Sequence, residues 1–224
     1  ENLEWVWPYR ENDPLGGRDP YSSSKASAEL VTSAYLRSFF SPEQYGETHE
    51  VALASARAGN VIGGGDWGED RLLPDCVRAL SRDEQIILRS PKAIRPWQYV
   101  LDPLSGYLLL GAKLWHDGAV YSGPWNFGPT DFKVWDVEQM VQGVIHLWGK
   151  GSCRMDDDKR QPHESHWLKL DSSKAKMALG WSAQCSVERA LDLTVSWYRH
   201  FYEGASPEKM KETCIRQIRL FMHG

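Results

Sequence analysis

The sequence has no long apolar run. Nothing in its 224 residues approaches the ~20 consecutive apolar residues that cross a bilayer as a helix, and no signal-peptide pattern opens the chain. Cysteine is scarce: Cys76, Cys153, Cys185 and Cys214 are scattered without Cys-x-x-Cys spacing. This excludes a disulfide scaffold and a cysteine zinc cluster, and suits reduced thiols in a cytoplasmic protein. The seven histidines show no His-Glu-x-x-His or comparable ligand spacing, so no catalytic metal is expected. Neither sign of charge dominates: 26 Lys and Arg stand against 30 Asp and Glu, with net charge −4, which argues against a nucleic-acid footprint. Internal repeats and low-complexity segments are absent. Aromatic residues are plentiful, with 11 Trp, 9 Tyr and 6 Phe, enough for a substantial aromatic core. The hydrophobic share of 42% is ordinary for a globular chain of one domain or two small ones.

The strongest chemical signal is Tyr21-Ser22-Ser23-Ser24-Lys25. On a helix these two residues sit at i and i+4, so phenol and ammonium share one face. A cation beside a phenol favours the phenolate, which makes Tyr21 a candidate proton carrier. Two common residues at helical spacing also arise by chance, and a surface Tyr beside a solvated Lys is the bland alternative. Context favours chemistry. Pro20 suits a helix start, and Ala26, Leu30, Val31 and Ala34 continue an apolar stripe, predicting a helix over 21–40 that ends before Pro42.

Residues 1–20 read as a turn-rich loop. Val51 to Ala58 is a small-residue apolar run suited to a buried parallel strand, followed by a glycine-rich loop from Gly59 to Trp67. Ligands of open α/β sheets bind beyond the carboxyl ends of strands, so strand followed by glycine-rich loop is the right order for a site. Further on, the patterns predict a short helix from Arg71 to Leu80 and a strand over Ile86–Leu88. A loop-strand unit over 95–103, a helix over 104–115 and a strand ending at Asn126-Phe127-Gly128 come next. A helix over 134–148, an irregular charged stretch from Cys153 to Glu164 and a strand over Trp167–Leu170 follow. Three more helices start near Ser172, Ser186 and Pro207.

Taken together, these motifs resemble the extended short-chain dehydrogenases/reductases that act on nucleotide sugars. Arg57-Ala58-Gly59-Asn60-Val61-Ile62-Gly63 is similar to that family's Arg-x-x-Asn-x-x-Gly loop, and Leu72-Leu73-Pro74 to its Leu/Ile-x-Pro element. Arg95-x-x-x-Tyr99-Val100-x-Asp102, Asn126-Phe127-Gly128 and Arg160-Gln161-Pro162-His163-Glu164 resemble its later motifs, and Leu179-Gly180-Trp181 its tail. Gly63-Gly64-Gly65-Asp66-Trp67 and Arg95-Pro96-Trp97-Gln98-Tyr99-Val100 lean toward the CDP-glucose 4,6-dehydratase branch. UDP-sugar 4-epimerases and dTDP- or GDP-sugar dehydratases are the alternatives within the family. A non-catalytic nucleotide-sugar-binding domain or a structural remnant is the alternative outside it.

The resemblance implies an α/β fold: the C-terminal part of a Rossmann-like doubly wound parallel sheet plus a smaller mixed α/β substrate-binding domain. Residues 1–62 and 94–128 would belong to the NAD-binding domain and 63–93 and 129–206 to the nucleotide-sugar domain, with a C-terminal helix over 207–224. It implies NAD as cofactor and CDP-D-glucose as substrate, with Tyr21 and Lys25 catalytic and, with Asn60, near the cofactor. Asn60, Arg95, Asn126, Arg160 and His163 would face the substrate, the arginines meeting its diphosphate. Asp66 and Trp67 could line its pocket or simply form a turn, and Tyr99 and Asp102 would fix the loop that presents Arg95. Family members carry a glycine-rich phosphate cradle and an acid/base motif upstream of Tyr-x-x-x-Lys. Neither lies within residues 1–20, where Glu11, Asp13 and Asp19 read as solvated, so this chain alone is expected to be inactive and poorly stable or self-associating. Relatives pair through the Tyr-x-x-x-Lys helix, implying a homodimer, or a tetramer built from dimers, through residues 21–40.

Overall fold

The computed structural model describes residues 1–129, 134–156 and 167–223. Seven helices and six strands follow one another as α1 (Pro20–Phe39), β1 (Ala54–Ala58), β2 (Asn60–Ile62), α2 (Leu72–Ser81), β3 (Ile86–Leu88), β4 (Trp97–Tyr99), α3 (Leu101–Asp117), β5 (Gly123–Phe127), α4 (Val137–Trp148), β6 (Cys153–Met155), α5 (Ser173–Leu179), α6 (Val187–Tyr202) and α7 (Pro207–His223). Every strand pair is parallel: β1 with β5, β2 with β4 and β3 with β6. The chain is therefore α/β. It divides into two compact units, each assembled from separated stretches.

The first unit comprises residues 1–59, 102–130 and 168–183. Its centre is the β1–β5 pair, in register from Ala54↔Gly123 to Ala58↔Phe127. Leu110 of α3, Trp125 and Phe127 of β5, Ala175 and Leu179 of α5, and Trp181 form its core. Phe127 is fully buried and meets Trp181 edge-on at 5.0 Å. Gly106 lets α3 approach this ring: a Cβ there would stand 2.3 Å from a Phe127 ring carbon. The opening loop is tied down where the Tyr9 amide donates to the Lys169 carbonyl at 2.9 Å and the Asp171 amide to that of Tyr9 at 2.8 Å.

Helix α1 starts where its sequence provides a stop for unpaired amides. Asp19, in extended conformation, accepts from the Ser22 amide at 2.9 Å while the Ser22 hydroxyl accepts from the Asp19 amide at 3.3 Å, and Pro20 occupies the first turn. Its apolar stripe is not core. Ala26 is its only buried residue, and Leu30, Val31, Tyr35 and Phe39 are more than half exposed.

The second unit comprises residues 60–101, 131–167 and 184–224. Helices α2, α4 and α6 supply a core that includes Cys76, Leu80, Met140, Val141, Val144 and Leu191. The pairs β2–β4 and β3–β6 border it with Ile62, Ile86, Leu88, Trp97 and Tyr99. A capping box between Asp136 and Gln139 opens α4, and Gly149 closes it in the left-handed region at φ 92°. Tyr99 is buried and its hydroxyl donates to Gln217 Oε1 of α7 at 2.9 Å.

The structure departs from the sequence-based expectations at several points. The glycine-rich stretch after β1 contains a short strand, β2, because β4 lies beside it. Residues 153–155 form a strand within the stretch read as irregular, since β3 supplies its partner. Residues 167–170 make only isolated bridges, Trp167 to Ile94 and Leu170 to Tyr9. As compact units go, β4 pairs inside the second, residues 168–183 pack in the first, and α7 is part of the second.

Candidate active site

Tyr21 and Lys25 lie in the first two turns of α1, where the capping box fixes the backbone. The Lys25 ammonium stands over the Tyr21 ring, 5.5 Å from its centroid. A cation over the ring face interacts with its quadrupole. Tyr21 is 72% exposed, so its hydroxyl is accessible to a ligand.

Around the carboxyl ends of β1 and β5 the first unit collects charge. Arg57 of β1 reaches Glu29 of α1 with a two-pronged ion pair: Nε donates to Oε1 at 2.8 Å and Nη2 to Oε2 at 2.9 Å. These bonds hold the Glu29 carboxyl below its usual range, against the opposing effect of burial. Asn126 of β5 is buried, and its side-chain amide donates to the Tyr9 carbonyl at 3.1 Å and the Asp171 carbonyl at 3.3 Å. Lys174 stands 4.0 Å over the Trp125 ring and donates to the Pro124 carbonyl at 2.7 Å. Burial holds its ammonium below the usual lysine range.

Among the carboxylates read as solvated, Glu11 departs from that expectation. It is half-buried, and its Oε1 accepts from the Asn126 amide at 2.9 Å. Asp19 caps α1, and Asp13 accepts from the Arg10 amide at 2.7 Å.

In the second unit, Asn60 is in register with Trp97 in the β2–β4 pair, and its backbone amide donates to the carbonyl of Pro96, the residue after Arg95, at 3.0 Å. Arg95 is partly buried and its Nη1 donates to the Ile94 carbonyl at 2.9 Å. The glycines after β2 serve close packing. A Cβ on Gly64 would stand 2.1 Å from a Trp197 ring carbon, and one on Gly63 would stand 2.7 Å from Val100. Asp66 binds Arg71 at 2.9 Å and accepts from the Gly68 amide at 3.0 Å. Trp67 packs on α6, 4.8 Å from Phe201 and 5.4 Å from Tyr198. The Tyr99 hydroxyl fastens β4 to α7, and Asp102 is fully buried in the first turn of α3. Arg160 and His163 lie outside the described residues. Among the described residues no group of three or more His, Cys, Asp or Glu could hold a metal ion, and no helix is long and apolar enough to cross a membrane.

Residues 5–194 match the profile of the family described as GDP-mannose 4,6 dehydratase. The chain belongs to this family. Among curated proteins it is 51% identical over 222 residues to the CDP-glucose 4,6-dehydratase of Salmonella typhimurium, an alignment covering 99% of this chain and 61% of the relative. It is 24% identical to the mouse dTDP-D-glucose 4,6-dehydratase, over 91% of this chain and 54% of that protein. The chain thus spans less than two thirds of the length of these relatives. Among solved structures, the dTDP-glucose 4,6-dehydratase of Bacillus anthracis in complex with NAD superposes with a TM-score of 0.72 at 24% identity, covering 89% of this chain and 58% of that one. That likeness shows the fold.

Sequence reasoning missed the Glu29–Arg57 lock. One signal was available: Glu29 stands four residues beyond Lys25 and eight beyond Tyr21, on the same helix face.

Proposed function

We propose that this chain is part of an NAD-dependent hydro-lyase that converts CDP-D-glucose to CDP-4-dehydro-6-deoxy-D-glucose, a step of deoxysugar biosynthesis. The observation that carries the reading is the accessible Tyr21 phenol with the Lys25 ammonium over its ring, at the start of a helix anchored by a capping box. The 51% identity to the Salmonella CDP-glucose 4,6-dehydratase over nearly the whole chain supports the choice of substrate.

An exposed phenol and an ammonium one turn apart suit the hydroxyls of a nicotinamide ribose, so Tyr21 and Lys25 fit the cofactor, with Asn60 as a further donor. The bound cofactor supplies hydride acceptance and return. Tyr21, as phenolate, accepts the proton of the sugar C4 hydroxyl, and oxidation at C4 makes the C5 hydrogen acidic enough for the C6 hydroxyl to leave as water. Lys25 keeps its ammonium over the Tyr21 ring. Arg95, Asn60 and Asn126, with Arg160 and His163, are assigned to the nucleotide sugar, the arginines to its diphosphate. Glu11, Asp13 and Asp19 are occupied by backbone amides and are not assigned the elimination. The exposed Leu30, Val31, Tyr35 and Phe39 support a homodimer through α1, and the four free cysteines suit a cytoplasmic setting.

The test uses the product of the complete reading frame that contains this chain. Incubation with CDP-D-glucose and NAD should yield a product lighter by one water, and Tyr21→Phe should abolish turnover while leaving the Kd for the nucleotide sugar nearly unchanged. Conversion without loss of water would point to a 4-epimerase, and binding without conversion to a non-catalytic domain. A preference for UDP-, dTDP- or GDP-glucose would overturn the substrate.

A further inference from the structure

Glu29 lies one helical turn beyond Lys25 and two beyond Tyr21, so the three side chains share one face of α1. Its carboxylate meets three donors on β1: Arg57 Nε at 2.8 Å, Arg57 Nη2 at 2.9 Å and the Ser55 hydroxyl at 2.8 Å. Ser55 and Arg57 stand two residues apart on the strand, hence on one side of it. The remaining prong, Arg57 Nη1, donates to the Glu11 carbonyl at 3.2 Å, and the Glu11 carboxylate in turn accepts from the Asn126 amide on β5. The guanidinium side chain is 21% exposed and the carboxylate side chain 18%, so water screens the pair less than a surface bridge.

Elsewhere on α1, Ser22, Thr32, Ser33 and Leu36 are only partly buried. Ala26 is the helix's only buried residue, and a methyl group neither sets a rotation angle nor stops a slide along the axis. A bidentate Arg–carboxylate fork does both, because two parallel hydrogen bonds constrain angle as well as distance.

We propose that Glu29 is a positioning residue: its clamp on Arg57 and Ser55 sets the rotation and axial register of α1 over β1, and thereby the placement of Tyr21 and Lys25 for proton transfer. This rests on the assignment of Tyr21 and Lys25 to that transfer. The sensitivity expected of such a device is large, since a misplacement of about 1 Å costs on the order of a hundredfold in rate.

Steady-state kinetics on the product of the complete reading frame tests this, with Tyr21→Phe run alongside. Glu29→Gln and Arg57→Lys should lower kcat roughly 10–100-fold with KM within about twofold of the parent. Both should also alter the pH profile of kcat relative to the parent. Glu29→Asp keeps the charge but shortens the reach by one methylene, and should fall between. Should Glu29→Gln fail to fold, Glu29→Asp and Arg57→Lys decide by the same criteria. Folded variants with the parent kcat and pH profile, altered only in Tm, would make the pair merely structural and overturn the proposal. Full turnover in Tyr21→Phe would instead remove the proton-transfer assignment itself, a result distinguishable from the former.

Discussion

Two glycines of α3 receive the same substitution with opposite expected signs. Gly106 and Gly111 both lie inside Leu101–Asp117, and replacing glycine by alanine in a helix interior stabilises by about 1 kcal/mol through backbone entropy and helix propensity. At Gly111 a new Cβ meets nothing within 4 Å, so the whole gain should appear. At Gly106 the methyl would stand 2.3 Å and 2.5 Å from two ring carbons of Phe127. That ring has nowhere to go: Phe127 has no exposed surface and is fixed edge-on against Trp181 at 5.0 Å and against Tyr107 at 5.4 Å. Overpacking of a rigid core costs roughly 1–3 kcal/mol, so Gly106→Ala should be neutral to destabilising by about 2 kcal/mol after the propensity gain. The two variants should differ by roughly 1–3 kcal/mol, or about 2–12 °C in Tm for a chain of this size. Denaturant titration followed by tryptophan fluorescence suits the measurement, because Trp125 and Trp181 belong to the same core as Phe127. Equal stabilisation by both substitutions would refute the reasoning, showing that the Phe127 site yields.

Other expectations follow from the same geometry. Asn126→Ala removes the side-chain donor to the Asp171 carbonyl and one of two donors to the Tyr9 carbonyl, and should destabilise by roughly 1–3 kcal/mol, seen as a lower denaturant midpoint with unchanged slope. Because Arg57 holds the Glu29 carboxyl below its usual range, the folded chain takes up that proton at lower pH than the unfolded chain. The stabilisation is therefore complete above about pH 4.3 and lost as pH falls through the folded-state value. The stability gap between the parent and Glu29→Gln should accordingly narrow on going from neutral pH into that acid range, and a gap that stays constant would contradict it. Arg95→Ala should weaken binding of the nucleotide sugar by about tenfold or more if the arginine meets the diphosphate; isothermal titration giving an unaltered Kd would reject that role.

What could be read from the sequence was whatever rests on local spacing. Helix α1 and the Tyr21–Lys25 pair are set by i,i+4 geometry and a proline at the helix start, and the structure places them together. Strand β1 was legible as a small-residue apolar run, although none of its residues is buried and Ala56 is exposed, whereas β5 was legible by its end at Asn126-Phe127-Gly128 and is buried from Trp125 to Phe127. Strand β6 was not: Cys153–Met155 is only three residues long, and its strand character comes from β3, far away in sequence. Trp167–Leu170 alternates as a strand should, yet a partner ladder never forms and only bridges result. The same reason hid part of the site. The Glu29–Arg57 bonds close over 28 residues and the Glu11–Asn126 bond over 115, distances at which spacing carries no information. An acidic residue in a polar loop looks solvated until its distant donor is known.

The two units alternate along the sequence, the chain passing from one to the other at residues 59/60, 101/102, 130/131, 167/168 and 183/184. This has a consequence for the order of events on the ribosome. Strand β1 emerges early but finds β5 only after β2, β3 and β4 have been made, and β3 must likewise wait for β6. Parallel pairing between segments so far apart in sequence closes large loops before any contact rewards the cost, which slows folding. The nascent chain would therefore hold the small-residue strand Ala54–Ala58 without its β5 partner until the intervening segments are made, a period in which a chaperone is of use.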